Sequence, residues 1–177
     1  IVGYPVNVVP YHKIPSIADV RQYNSIDKLF GRYPCVVILY EQDELNTGHY
    51  CCLLKMNSGK QSGMIEFFDS YGVSLAGEPD EQELKFNELQ ENKKIIQDGN
   101  TILDLLKNSK YNYYANPWKL QSDHYKVATC GRWVASRIRF HQSSSPAGSS
   151  LVNFIKLFDV SDPDKLITSI TLLGALD

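Results

Sequence analysis

GHYCCLLKMNSGKQSGMIEFFDSYG, residues 48–72, contains two apolar runs on either side of a polar turn sequence. The runs, residues 49–56 and 64–69, each have the length of a β-strand. The residues between them are rich in Asn, Ser and Gly, which favour turns. The two runs are therefore predicted to pair as an antiparallel hairpin.

This hairpin would bring two ionisable side chains together. Opposed residues of an antiparallel pair have numbers with a constant sum, and a turn centred near Lys60 places His49 opposite residues 69–71, a window that contains Asp69. Opposed Cβ atoms are about 5 Å apart, so a carboxylate can accept the proton of one imidazole nitrogen and leave the other aimed at a nucleophile. The spacing predicts a dyad of His49 and Asp69.

The candidate nucleophile is Cys130, which lies in ATCGRWV, residues 128–134, where a small-residue loop opens into a helix. A helix N-terminus presents unpaired N–H groups and a positive dipole end, which lower the pKa of a thiol and supply donors for an oxyanion. The other three cysteines lie inside apolar strands and are predicted to be inert: Cys35, Cys51 and Cys52.

Each of these residues also has a purely structural interpretation. A histidine at the start of a strand is more often a surface or hydrogen-bonded residue than a catalytic one. Asp69 can be a strand-end turn residue before Ser70-Tyr71-Gly72. Three further histidines remain alternative bases: His12, His124 and His141.

The rest of the pattern indicates an α+β chain of mixed element types. The other predicted elements are a capped helical turn at 25–31, a buried strand at 35–40, helices at 81–97 and 101–107, an extended segment at 111–121, a Ser/Gly/Pro-rich and mobile loop at 141–150, and two helices that begin at 151 and 163. In the helix that opens at Cys130, residues Val134 and Ile138 continue a buried stripe. Arg137 and Arg139 are expected in its last turn, where they would complement the dipole.

These elements predict one domain, residues 1–177, in which a central mixed or antiparallel sheet packs on the helix that carries Cys130 at its N-terminus. The chain has 43% hydrophobic residues, enough for a sizeable core.

Charge and composition exclude several classes of function. With 18 Lys+Arg, 20 Asp+Glu and a net charge of −2, the chain has no global basic field to recruit nucleic acid. No apolar run reaches about 20 residues and no signal-peptide pattern opens the sequence, so we expect neither membrane insertion nor secretion. The adjacent Cys51 and Cys52 lie outside any CxxC spacing, which argues against a zinc site and a disulfide framework. We expect no cofactor and no metal.

Four short motifs occur in the order GHY (48–50), FFDSYG (67–72), Gln121 and ATCG (128–131). In this respect the sequence resembles the adenovirus maturation protease and its relatives, the SUMO-deconjugating proteases. The resemblance runs from about residue 25 to residue 140. It implies a papain-like or adenovirus protease-like fold whose central helix begins at Cys130.

The resemblance also implies a role for each matching residue. Cys130 would be the nucleophile, His49 the general base, Asp69 the group that orients His49, and Gln121 the oxyanion donor beside the backbone N–H of Cys130. Gln121 lies further from the cysteine than is usual in the family. His124 falls in the usual window and is the competing donor.

On this basis the chain is expected to be a cysteine endopeptidase that matures virions by cutting capsid or other precursor proteins, after small, Gly-rich sites. It would act as a monomer in the virion and the host cytoplasm, and the sequence leaves open whether a peptide or DNA activates it. The alternatives are a deconjugase of a ubiquitin-like modifier, an acetyltransferase with the same catalytic pattern, and a non-catalytic binding relative.

Overall fold

The computed structural model describes residues 5–10, 23–41, 48–57, 61–72, 101–122, 128–143 and 150–173. The strands are β1 (Val6–Pro10), β2 (Cys35–Glu41), β3 (Gly48–Lys55), β4 (Ile65–Phe68) and β5 (Tyr113–Ala115). The helices are α1 (Ile26–Phe30), α2 (Thr101–Lys107), α3 (Cys130–Ser143), α4 (Leu151–Lys156) and α5 (Pro163–Leu173). The predicted helix at 81–97 lies outside the described residues.

The five strands form one mixed sheet in the order β1-β2-β3-β4-β5. The central strand β3 is antiparallel to both of its neighbours, β2 and β4, whereas β1 runs parallel to β2 and β5 runs parallel to β4. The α+β class and the hairpin of β3 and β4 are therefore confirmed. The segment 111–121, predicted only as extended, contributes β5 to the sheet.

Helices cover the sheet on both faces, which explains why β2 and β3 are apolar at almost every position. On one face, α1 and α2 supply a core that contains Leu29, Phe30, Ile38, Leu53 and Leu106. On the other face, α3, α4 and α5 supply a second core that contains Cys52, Phe68, Trp133, Ile138 and Phe154. Neighbouring residues of β3 point to opposite faces, so Cys51 and Cys52 belong to different cores.

Helix α3 has the predicted buried stripe, since Cys130, Val134 and Ile138 are 9%, 3% and 1% exposed. The prediction that Arg137 lies in its last turn and complements the dipole was wrong. The helix continues to Ser143, so its last basic residue is His141, and Arg139 also lies before the last turn.

The side chain of Arg137 instead extends from α3 to the sheet and has no exposed surface. Its Nε and Nη2 donate to the two carboxylate oxygens of Glu66 on β4, each at 2.7 Å, and the Tyr114 hydroxyl also donates to Glu66. A buried arginine needs such a partner because an unpaired charge in the core is costly. The ion pair therefore connects the middle of α3 to strand β4.

The predicted helix boundaries at α1 and α5 are confirmed. The Ser25 hydroxyl accepts from the Lys28 N–H at the start of α1, and Gly31 ends that helix with a φ of 53°. At the start of α5, Asp162 precedes Pro163 and accepts from the Lys165 N–H at 3.0 Å.

Of the loop predicted at 141–150, residues 141–143 belong to α3 and residues 144–149 lie outside the described part of the chain. Among the helices that the structure describes, none is both long enough and apolar enough to span a bilayer.

Candidate active site

His49 and Asp69 form a buried pair at the end of the hairpin. The distance between His49 Nε2 and Asp69 Oδ2 is 2.6 Å, and the two residues are 4% and 1% exposed. In the β3–β4 ladder Cys52 lies opposite Phe68, so the partner numbers sum to 120, the value predicted for the hairpin. Continuing that register places His49 opposite Tyr71, with Asp69 as its diagonal neighbour on the same face.

Both ends of the predicted 69–71 window therefore contact the imidazole. Asp69 accepts its proton, and the Tyr71 ring packs beside it with 5.0 Å between ring centroids. The Asp69 carboxylate is oriented in turn, because its Oδ1 accepts from the Tyr71 N–H at 2.8 Å. The Asp69 carbonyl accepts from Asn116 Nδ2 at 2.7 Å. The carboxylate is thus held rigidly against His49.

Cys130 is the first residue of α3, and its thiol lies beside the start of β3. Its Sγ is 3.8 Å from the carbonyl oxygen of Gly48, and the His49 imidazole lowers the pKa of the thiol by hydrogen bonding and by its charge. Because Asp69 occupies Nε2 of the imidazole, Nδ1 is the ring atom left for the sulfur. The structure thus brings together the three residues that the sequence analysis named as nucleophile, base and orienting acid.

The pKa values of the cysteine and histidine move in opposite directions. Burial by itself would raise the pKa of Cys130, but the hydrogen bond and the charge of His49 outweigh burial, and the pKa is lowered. Hydrogen bonds from the backbone N–H groups of Tyr50 and Gly131 lower it further. Burial would lower the pKa of His49, but the charge and hydrogen bond of Asp69, followed by those of Cys130, raise it to about 10. The two shifts therefore favour a proton on His49 and a thiolate on Cys130.

The other three cysteines are buried in β2 and β3, and their inertness stays a prediction. Cys35, Cys51 and Cys52 have no exposed surface, and all four cysteines are free thiols. Burial raises the pKa of Cys35 to about 11 and raises that of Cys52 well above its usual value. Only the environment of Cys130 is shown to favour a thiolate.

Gln121 lies at the same end of the sheet and is 2% exposed. Its Oε1 accepts from the Ser70 hydroxyl at 2.8 Å, its Nε2 donates to the Tyr71 hydroxyl at 3.2 Å, and its backbone N–H donates to the Ser70 carbonyl at 2.9 Å. The segment 69–71 therefore supports both His49 and Gln121. The role of Gln121 as an oxyanion donor stays a prediction.

Gly72 explains how the segment after β4 meets the segment that carries Gln121. Its φ is +75°, and a Cβ at this position would lie only 2.9 Å from the backbone carbonyl carbon of Trp118. Glycine is therefore required both by its conformation and by the close approach of the two backbones. This contact lets Leu120 and Gln121 donate their N–H groups to the Ser70 carbonyl.

Of the alternative bases, His12 and His124 lie outside the described residues. His141 lies near the other end of α3, and its Nε2 is 3.2 Å from the carbonyl oxygen of Lys55, at the far end of β3 from His49. It lies eleven positions after Cys130 in the helix, about 16 Å along the axis. His141 is therefore not the base for this thiol.

Sequence reasoning missed four supporting residues: Ser70, Tyr71, Asn116 and Asp164. Asn116 precedes a proline and could have been identified as a turn residue, since its Oδ1 accepts from the Trp118 N–H. Ser70 and Asp164 have no local signal, because their side chains contact residues distant in the sequence. The Tyr71 N–H bonds the nearby Asp69, but its ring and hydroxyl contact the distant His49 and Gln121.

Among the residues that the structure describes, no group of three or more His, Cys, Asp or Glu is placed to hold a metal ion. Comparisons of the chain with models of protein families, with curated proteins and with solved structures found no match.

Proposed function

We propose that this chain is a cysteine-type endopeptidase in which Cys130 is the nucleophile and His49 is the acid and base. The observation that carries the proposal is the buried pair of His49 and Asp69, with 2.6 Å between Nε2 and Oδ2, whose imidazole lowers the pKa of the Cys130 thiol at the start of α3. A cysteine that only fills space in the core does not require an imidazole or backbone N–H groups that lower its pKa.

The same geometry supports a complete acyl-transfer cycle. The thiolate attacks the scissile carbonyl carbon, the new S–C bond forms, and the carbonyl oxygen becomes an oxyanion. The protonated His49 then gives its proton to the leaving amine as the C–N bond breaks, which leaves a thioester on Cys130. A water molecule attacks the thioester, neutral His49 takes the proton of that water, and the carboxyl product leaves with the thiolate restored.

Two hydrogen-bond donors would stabilise the oxyanion. The backbone N–H of Cys130 belongs to the first turn of α3, where N–H groups lack helical partners. The side-chain amide of Gln121 is the second donor in this proposal, and Ser70 and Tyr71 orient it. Such donors act mainly in the transition state, when the charge develops.

We further propose that the substrates are capsid or other virion precursors cut at small residues. This part rests on the family resemblance of the motifs.

The test is to incubate the protein with candidate capsid precursors and to identify new N-termini by mass spectrometry, with Cys130→Ala as the matched control. We expect new N-termini with the wild-type protein alone. Cleavage that persists in Cys130→Ala would contradict the proposal. A peptide aldehyde should form a covalent adduct with Cys130 in a peptidase, whereas transfer of acetyl groups from acetyl-CoA through Cys130 would identify an acetyltransferase instead.

A further inference from the structure

Asp164, in the first turn of α5, accepts hydrogen bonds from two separate segments of the chain. Its Oδ2 accepts from the Ser122 N–H at 2.8 Å. Its Oδ1 accepts from the Thr129 hydroxyl at 2.5 Å and from Trp133 Nε1 at 3.1 Å. Asp164 is 9% exposed, so these bonds form in a largely water-free setting where an unpaired polar group would be costly.

An acidic residue in the first turn of a helix is usually explained by the helix dipole. Here the N-cap function belongs to Asp162, whose Oδ1 accepts from the Lys165 N–H at 3.0 Å. The Asp164 side chain points away from its own helix and toward residues 31 to 42 positions earlier in the sequence. Capping of α5 therefore does not explain it.

The donors adjoin the proposed catalytic residues. Ser122 follows Gln121, and Thr129 precedes Cys130. The two oxygens of one carboxylate have a fixed separation, so binding one segment to each oxygen fixes the spacing between the segments. We infer that Asp164 is a positioning residue that sets the distance between Gln121 and the Cys130 thiolate, an inference that rests on the proposed function.

The spacing matters for acyl transfer in particular. An oxyanion donor is effective only within hydrogen-bond distance of the developing charge, and small displacements cost large factors in rate. Alkylation by iodoacetamide needs the thiolate but forms no oxyanion, because the sulfur displaces iodide from carbon. Acetylation by 4-nitrophenyl acetate does form an oxyanion before 4-nitrophenolate leaves. The ratio of the two rates at Cys130 therefore reports the positioning of the donor.

The experiment measures both rates at Cys130 in the wild-type protein, in Asp164→Asn and in Asp162→Ala. An asparagine has one acceptor oxygen, so either the Ser122 N–H or the Trp133 N–H loses its acceptor. We expect Asp164→Asn to lower the acetylation rate by on the order of 10- to 100-fold, while the alkylation rate changes by less than about 3-fold. Asp162→Ala weakens the start of the same helix without touching these segments, and it should leave the ratio at the wild-type value.

If Asp164→Asn does not fold, the same measurements are made on Thr129→Val, which removes the hydroxyl donor and keeps the shape. We expect a lower ratio of acetylation to alkylation in Thr129→Val and its recovery in Thr129→Ser. A ratio equal to that of the wild-type protein in the folded variant would overturn the inference, because it would leave Asp164 with a structural role only.

The wild-type rates separate this inference from the proposed function. If wild-type Cys130 were acetylated no faster than Cys130 in His49→Ala, the peptidase proposal would fail, and the positioning role would fail with it. If wild-type acetylation were fast and the Asp164→Asn ratio unchanged, only the positioning role would fail.

Discussion

Arg137 of α3 and Glu66 of β4 form a two-point ion pair in which neither side chain has exposed surface. The pair joins the helix that carries Cys130 at its start to the strand that ends next to Asp69. It therefore supports the relative placement of the nucleophile and the orienting acid, although it lies away from both.

Removal of one member should be strongly destabilising. Arg137→Met leaves the Glu66 carboxylate buried with only the Tyr114 hydroxyl in place of its ion pair, and such losses cost about 3–5 kcal/mol in the free energy of unfolding. Urea denaturation measures this loss. Arg139→Met, at an exposed position of the same helix, is the matched control and should change the free energy by less than about 0.5 kcal/mol. A loss in Arg137→Met as small as that of the control would show that the pair contributes little.

Cys130 should be the reactive thiol of the folded protein. Its pKa is lowered, whereas burial raises the pKa of Cys35 and of Cys52. Iodoacetamide at neutral pH should label Cys130 faster than Cys35, Cys51 or Cys52 by on the order of 10²-fold or more. Peptide mapping by mass spectrometry after short labelling times gives the four rates. Labelling of Cys130 that is no faster than that of the buried cysteines would count against its assignment as nucleophile.

The labelling rate should depend on pH in a manner set by His49. The lowered pKa of Cys130 means that the thiolate is present above that lowered value and is lost as the pH falls through it. The raised pKa of His49 means that its stabilising positive charge is fully present at low and neutral pH and is lost as the pH rises through about 10. In His49→Ala the Cys130 thiol stays buried, which raises its pKa, but it loses the imidazole that lowers the pKa. Alkylation of that variant should be slow at pH 7 and should recover only above about pH 9.

Asp69 should contribute to turnover less completely than Cys130 or His49. Cys130→Ala and His49→Ala are expected to abolish cleavage with little loss of fold, whereas Asp69→Asn should lower kcat by on the order of 10²- to 10³-fold. Asparagine can still accept one hydrogen bond, but it removes the negative charge that raises the pKa of His49. Steady-state kinetics on one peptide substrate provide the comparison. If Asp69→Ala had normal activity, a different acceptor would have to hold the imidazole.

Gln121 should act on the transition state and not on substrate binding. Loss of a side-chain oxyanion donor typically costs about 10²- to 10³-fold in rate, so Gln121→Ala should lower kcat strongly and change KM little. His124→Ala is measured beside it, because His124 falls in the window where the family places its donor. A large loss of kcat in His124→Ala with near-normal Gln121→Ala would show that the donor is His124.

The local sequence determined the hairpin and the main helices. The Asn, Ser and Gly residues after Met56 predict a turn, and the constant sum of partner numbers, which the β3–β4 ladder confirms, then places His49 beside residues 69–71. The stripe that includes Val134 and the caps at Ser25 and Asp162 depend on residues within about one helical turn of each other, so the pattern shows them directly.

The edge strands could not be predicted in the same way. Strand β1 pairs in parallel with β2, and β5 pairs in parallel with β4, so neither is joined to its partner by a tight turn. A parallel pair requires a long connection, and its register depends on the packing of the whole sheet. The segment that forms β5 therefore showed only an extended character.

Tertiary structure alone decided which buried polar groups meet. Arg137 and Glu66 are separated by 71 positions, Gln121 and Ser70 by 51. A basic residue on a helix has the same local pattern whether it faces solvent or an acid on the sheet, so the dipole interpretation of Arg137 was reasonable and wrong.

The candidate site divides along the same line. The histidine, the aspartate and the helix that begins at Cys130 were predicted from periodicity, turn length and short motifs, all of which are properties of short segments. The contacts that hold Gln121 and the start of α3 in place depend on Tyr71 and Asp164. Those side chains meet their partners only after the sheet and the helices have packed, because burial then requires each polar group to find a partner that is distant in sequence.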